Sequence, residues 1–199
     1  MIDKPYSEAC VRNQQPILAV IQPFLTHKTH VLEIGSGTGQ HAVYFSQQLP
    51  HLTWQTSDQK QYHSGIRAWL SEAKQSNLLD PLELDVTQQA HWPNKTYDAV
   101  YSANTAHIMP WRAVEQFIPG VGKLLEKDGV FLLYGPFKYN GEFTSQSNQR
   151  FDVSLKAQKS SMGIRDFEAI LQLANQAGLA LIKDYSMPAN NQLLVFKAS

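Results

Sequence analysis

A chain of 199 residues is long enough for one well-buried domain and too short for two large ones. Lysine plus arginine equals aspartate plus glutamate at 17 each, which excludes a global field toward nucleic acid or an anionic membrane and favours a small or neutral partner. The single cysteine, Cys10, excludes an intramolecular disulfide framework; no apolar run approaches the roughly 18 residues of a membrane helix, and Met1-Ile-Asp-Lys-Pro lacks a signal peptide's pattern, so a cytoplasmic chain is expected.

In chain order, residues 7–25 carry Ala9, Ile17, Leu18, Val20, Ile21 and Leu25 at mainly helical spacing. This predicts an N-terminal helical cap, interrupted at Pro16 and ended near Pro23. Arg12 and Asn13 on that segment are candidates for a clamp on a ligand carboxylate, or are solvated surface residues. The run Val31 to Ile34 then reads as a buried strand, and it gives way to Gly35, Gly37 and Gly39 and to apolar residues at helical spacing from His41. Strand, glycine turn, helix is a unit in which the backbone approaches a ligand closely and a helix N-terminus offers free N–H groups. The pattern Gly37-x-Gly39-x-x-Ala42 also fits a nicotinamide or flavin dinucleotide site, so the turn by itself does not choose a cofactor.

A second strand, Leu52 to Asp58, ends on an acid 21 residues beyond Gly37, near the roughly 20-residue offset of a ribose-binding carboxylate. A helical face of Ile66, Trp69, Leu70 and Ala73 leads to a third strand, Leu78 to Val86, near whose end stands Asp85. That acid is either a reader of an adenine amino group or a cap on the next helix. A fourth strand, Tyr97 to Asn104, delivers Asn104, His107 and Trp111 to the same edge. A helix over 111–125, kinked at Pro119 and Gly120, precedes a fifth strand around Val130 to Tyr134. Residues 135–155 break regular periodicity and are rich in aromatic and amide side chains, which predicts an irregular substrate lid. A helix from Gly163 to Gly178 and a terminal hairpin of Leu179 to Tyr185 and Gln192 to Phe196 complete the chain. The alternation predicts one domain over 1–199. It is an α/β three-layer sandwich with a seven-stranded, mostly parallel Rossmann-like sheet and a C-terminal antiparallel hairpin.

This layout resembles a class I S-adenosylmethionine-dependent methyltransferase. The segments Arg12-Asn13-x-x-Pro16-Ile-Leu18, Gly35-Ser-Gly-x-Gly39-Gln-His-Ala42, Trp54-Gln-x-Ser-Asp58, Leu84-Asp-Val-Thr87, Tyr134-Gly-Pro-Phe137, Asn140-Gly141, Gln146-Ser-Asn148, Phe151-Asp152 and Met187-Pro-Ala-Asn-Asn191 are similar, in order and spacing, to the methyltransferase-like 26 family over nearly the whole chain. Val11 and Thr56 depart from it where an acid and a proline are expected, and the first leaves Arg12 without an adjacent acid. The resemblance implies that Gly35, Gly37 and Gly39 pass beneath S-adenosylmethionine and that Asp58 holds the ribose. It further implies that Asp85 and the Val86 backbone read adenine, that Asn104 stands at the methionyl end, and that S-adenosylhomocysteine is the product.

Methyl transfer from a sulfonium is an in-line displacement, so alignment and exclusion of water are the protein's main tasks. His107 is the candidate base for an acceptor that must lose a proton, and Trp111, Tyr134 and Tyr139 are candidates for an aromatic wall around a small acceptor. The Tyr134-x-x-x-Lys138 spacing matches a short-chain reductase, but Gly135-Pro136 forbids the continuous helix that pair needs. No metal is expected, since His27 and His30 precede the first strand without a carboxylate cluster. A non-catalytic scaffold that keeps the cofactor site is the other class in play. No basic patch with interleaved aromatics points to nucleic acid.

Overall fold

The structure is a computed structural model, and it describes residues 4–199. Helix α1 (Glu8–Leu25) opens the chain, capped by the Ser7 hydroxyl, which accepts from the Cys10 N–H. It runs unbroken through Pro16 and Pro23, against the expected interruption. Ile17, Ile21 and Leu25 are fully buried, and at about 2 kcal/mol each they offset the ~3 kcal/mol that each of the two interior prolines costs.

Strands β1 (His30–Ile34), β2 (Thr53–Asp58), β3 (Leu78–Glu83), β4 (Tyr97–Ala103) and β5 (Leu125–Gly135) alternate with helices α2 (Gln40–Gln48), α3 (His63–Ala73) and α4 (Trp111–Leu124). The last of these is one continuous helix with Pro119 inside it. After β5 come β6 (Phe137–Tyr139), β7 (Glu142–Phe143), α5 (Gln146–Gln158), β8 (Arg165–Asp166), α6 (Phe167–Gln176), β9 (Leu179–Met187) and β10 (Asn191–Ala198). The main sheet has seven strands in the order β3-β2-β1-β4-β5-β10-β9. Its first five are parallel, and β10 alone runs antiparallel, between β5 and β9. The terminal hairpin is added at the β5 edge of the sheet, as expected, with its second strand against β5 and β9 outermost.

Alternation along the strands feeds two cores. Leu32, Ile34, Phe131 and Leu133 meet α4 and α6 on one face. Val31, Trp54, Tyr101, Leu132 and Tyr134 meet α1 and α2 on the other, with α3 packed beside α2 and β3. The sheet is thus covered on both sides, as parallel strands require.

Residues 135–155 are not irregular. Asn140 and Gly141, both at positive φ, turn β6 into β7, and β8 adds to β6 to make a second sheet in the order β7-β6-β8. Helix α5 comes next, capped by Ser145, whose hydroxyl accepts from the Asn148 N–H. Its apolar content is low and two of its apolar residues, Phe151 and Val153, are exposed, so no helical period announced it in the sequence.

Candidate active site

The carboxyl ends of β1, β2, β3 and β4 meet at one edge. Gly35, Gly37 and Gly39 all have positive φ, of 78°, 57° and 90°, a region that side chains with a Cβ rarely enter. Their surroundings differ. A Cβ on Gly35 would lie 2.5 Å from the Thr105 methyl, so this glycine lets the segment after β4 pack on the turn. A Cβ on Gly39 would press on the α3 backbone at Ile66, whereas one on Gly37 would meet no atom within 4 Å. Gly37 therefore faces open space, and it is the glycine of the three beside which a ligand has room.

Asp58, at the end of β2, is bound directly to that turn. Its Oδ2 accepts from the Gly37 N–H at 2.7 Å and its Oδ1 from the Gln59 N–H at 2.7 Å. Burial raises the Asp58 pKa, and these two amides oppose the rise. Each carboxylate oxygen keeps a lone pair for a further donor. The Asp58 carbonyl also accepts from the Leu84 N–H at 2.9 Å, which ties the segment carrying Asp85 to the same edge. Strand β3 stops at Glu83, so Asp85 lies beyond it in a turn, where its Oδ1 accepts from the Thr87 N–H at 2.9 Å and the Thr87 hydroxyl at 2.7 Å. Val86 is buried, and its carbonyl accepts from the Trp92 indole at 3.1 Å.

Asn104 follows β4 at φ 57°, a left-handed conformation asparagine tolerates, with its N–H on the Tyr134 carbonyl. His107 is buried three residues on, and its ring stands edge-on to Phe151 of α5 with centroids 5.4 Å apart. Burial, aided by the positive charge of Arg165, lowers its pKa to about 4, so the ring is neutral at neutral pH. The loop that carries it is pinned from across the fold. Gly163 N–H donates to the His107 carbonyl at 2.9 Å, and Arg165 donates to the carbonyls of Ala106 at 2.9 Å, Ser161 at 2.9 Å and Met109.

The substrate candidates are not brought together. Arg12 is exposed and pairs at 3.8 Å with Glu8 one turn earlier, so the acid that position 11 lacks is supplied by position 8. Asn13 turns inward and meets the His41 ring at 2.7 Å, while Tyr134 is buried in the core beneath α1. Tyr134 thus faces the α1 side of the sheet. Tyr139 lies on the other face, stacked on Phe167 with centroids 5.0 Å apart and donating to Asp184 at 2.6 Å. Trp111 opens α4 and lines, with Lys138, Lys156 and Arg165, a separate cavity of about 230 Å³. The three aromatics do not form one wall. Nor do Tyr134 and Lys138 form a pair, since Lys138 meets Asp166 at 3.2 Å.

Several site groups escaped the sequence reading. Glu33 sits within the run read as apolar, and its fully buried carboxylate accepts from the Trp54 indole at 3.1 Å and the Ser36 hydroxyl at 3.0 Å. Burial pushes its pKa up to about 7. A charge inside a strand that carries the glycine turn was the available signal. His41 and Arg165 carried no local signal, because their partners lie 28 and 59 positions away in the chain; Phe151 stood among the aromatics of the expected lid, but its partner His107 lies 44 positions away. Among the described residues, His27 and His30 belong to no cluster of three metal-ligating side chains, and no helix is long and apolar enough to cross a membrane.

Residues 4–198 match the family described as "Protein of unknown function (DUF938)". Among solved structures, an O-methyltransferase family protein from Burkholderia thailandensis is similar with a TM-score of 0.85 at 18% identity, over 96% of this chain and 58% of that one. Human N-acetylserotonin methyltransferase in complex with SAM gives 0.81 at 14% identity, over 96% and 53%. A structure described as PigF with SAH gives 0.78 at 15% identity, over 96% and 64%. The likeness is one of fold, and the chain spans between about half and two thirds of the length of these structures.

Proposed function

The chain belongs to the DUF938 family and has the class I methyltransferase fold, and from that premise we propose that it transfers a methyl group from S-adenosylmethionine to a small or modest-sized acceptor in the cytoplasm. The ordered motifs from Arg12 to Asn191 support, within this reading, kinship with the methyltransferase-like 26 family. One observation carries the proposal: the Asp58 carboxylate is seated on the Gly37 amide, beside the one glycine of the turn whose missing Cβ leaves open space. An acid and a glycine turn in that relation suit a ribose and the chain attached to it.

When bound, the cofactor supplies a methyl group on a sulfonium and leaves as S-adenosylhomocysteine. The chain's residues divide the remaining tasks among them. Asp58 accepts from the ribose hydroxyls with the lone pairs its two backbone amides leave free. Asp85 and the Val86 N–H read the adenine edge, and Asn104 orients the methionyl end. Glu33 lies buried beneath the turn and fixes Ser36 and Trp54 under it. His107 accepts the acceptor's proton. With its pKa held near 4 it is too weak a base to ionise a hydroxyl beforehand, so it takes the proton as the new bond forms and the acceptor turns acidic. The pinned loop keeps that ring in place, which is the orientation an in-line displacement needs.

Calorimetric titration with S-adenosylmethionine, S-adenosylhomocysteine and NADH side by side tests the reading. Both sulfur nucleosides bind saturably and NADH does not. Asp58→Ala weakens S-adenosylmethionine by about 1–3 kcal/mol, the cost of leaving hydroxyls without a charged acceptor. Unchanged affinity in a folded variant removes Asp58 from the site, and binding of NADH alone overturns the proposal.

A further inference from the structure

Two large apolar side chains stand exposed beside His107. Ile108, its neighbour in the chain, is 47% exposed, and Phe151, whose ring meets the imidazole edge-on, is 40% exposed. Scattered apolar residues on a surface are ordinary. These two come from separate elements, the loop after β4 and helix α5, and both adjoin a buried imidazole whose nitrogens make no hydrogen bond among the described residues. The main chain beneath them is held by Gly163 and Arg165, so the apolar face has a fixed floor.

The charges around that floor are already engaged. Arg165 spends its donors on three carbonyls. Asp152 accepts from the Ile164 N–H at 2.8 Å and pairs with Lys156 at 2.5 Å. Lys138 pairs with Asp166. A charged acceptor lying on His107 would lose its hydration without gaining a counter-ion, a costly transfer. Arg150, next to Phe151 in the chain, is exposed, and an ion pair in that setting is weak.

We infer that Phe151, Ile108 and His107 form the acceptor subsite, and that it takes a flat, uncharged molecule whose single hydrogen-bond donor meets the free imidazole nitrogen. The inference rests on the transferase reading and adds to it the acceptor's chemical class. A planar apolar body covers Phe151 and Ile108, and the donor is a hydroxyl or N–H. On transfer, a lone pair of that donor atom forms the bond to the methyl carbon, the carbon–sulfur bond breaks with its electrons going to sulfur, and the donor's proton passes to His107.

The test uses the full chain saturated with S-adenosylhomocysteine and two fluorescent probes with the same ring system, neutral 2-naphthol and anionic 6-hydroxy-2-naphthoate. 2-Naphthol binds at least ten-fold more tightly than the carboxylate. Phe151→Ala weakens it at least ten-fold and Ile108→Ser by a smaller factor, with S-adenosylhomocysteine affinity unchanged in both. Equal or tighter binding of the carboxylate overturns the inference, as does an unchanged 2-naphthol affinity in Phe151→Ala. If Phe151→Ala also loses S-adenosylhomocysteine, Ile108→Ser decides by the same criteria. Failure of S-adenosylhomocysteine to bind the unaltered chain defeats the transferase reading itself, whereas its binding without 2-naphthol defeats the acceptor class alone.

Discussion

The two ends of the sheet's carboxyl edge are built by different means. Around Gly35, Gly37, Gly39 and Asp58 the geometry is made by backbone: positive φ at three glycines, amides on a carboxylate, and a strand end 21 residues downstream. Around Asn104 and His107 it is made by side chains arriving from far along the chain. Arg165 and Gly163 hold the loop, and Phe151 walls it. A ligand common to many proteins can be held by a local motif, whereas an acceptor particular to one family needs a surface assembled from distant parts. The first end therefore fails through conformational strain, and the second through loss of partners.

The largest expected effect separates two glycines that the sequence presents as equivalent. Gly35→Ala puts a methyl 2.5 Å from the Thr105 side chain and forces alanine to φ 78°. The strain is about 1–2 kcal/mol and the overlap adds about 1–3. Chemical denaturation is expected to show a loss of about 3 kcal/mol, with the turn pushed away from the segment after β4. Gly37→Ala meets nothing within 4 Å and bears the strain alone, so its stability falls by about 1 kcal/mol while its S-adenosylmethionine affinity falls more than ten-fold. If the two variants lose stability equally, the contact between Gly35 and Thr105 does not join the two ends.

An intermediate effect comes from pH. Burial holds His41 and His107 near 4, below their ordinary 6.5, and raises Glu33 to about 7 from 4.5. The histidines' contribution is fully present above pH 6.5 and is lost as pH falls toward 4, because the unfolded chain takes up protons that the native rings refuse. Glu33 runs the other way: its contribution is present below pH 4.5 and is lost as pH rises through 7. Between pH 4.5 and 6.5 two histidines oppose one glutamate. The unfolded state therefore binds about one proton more, and stability falls on acidification by about 1.4 kcal/mol per pH unit. His41→Gln, which retains a partner for Asn13, removes one of the two histidines and flattens the slope in that window. An unchanged slope would mean that His41 is free to protonate in the folded protein.

The difference in construction also explains what could be read from the sequence. The strand, glycine turn and helix at the cofactor end, the acid ending β2 and the alternation that gives seven strands are local patterns, visible as a change of hydrophobic period followed by glycine. Proline misled at Pro16, because local propensity was overruled by burial of Ile17 and Ile21. Helix α5 was hidden because its buried residues, Asn148, Asp152 and Leu155, include two polar ones. Tyr134 and Tyr139 read as neighbours along the chain, yet the strand break at Pro136 sends them to opposite faces of the sheet. None of these outcomes is encoded within one turn or one strand.

The smallest expected effect concerns Asp85, whose two readings, turn residue and adenine reader, make opposite demands on its two oxygens. Oδ1 is occupied by the Thr87 N–H and hydroxyl. Oδ2 is the oxygen left to accept from an adenine amino group. Asp85→Asn keeps a carbonyl oxygen for Thr87 and places an NH₂ where Oδ2 stood, a group that donates and does not accept. Denaturation should therefore show a change within about 0.5 kcal/mol, and S-adenosylmethionine affinity should drop by about 1 kcal/mol, one neutral hydrogen bond. The same substitution should leave binding of decarboxylated or otherwise altered methionyl ends weakened to the same degree, because the adenine edge is common to them. A stability loss with unchanged affinity assigns Asp85 to the turn and leaves the Val86 N–H alone on the adenine edge.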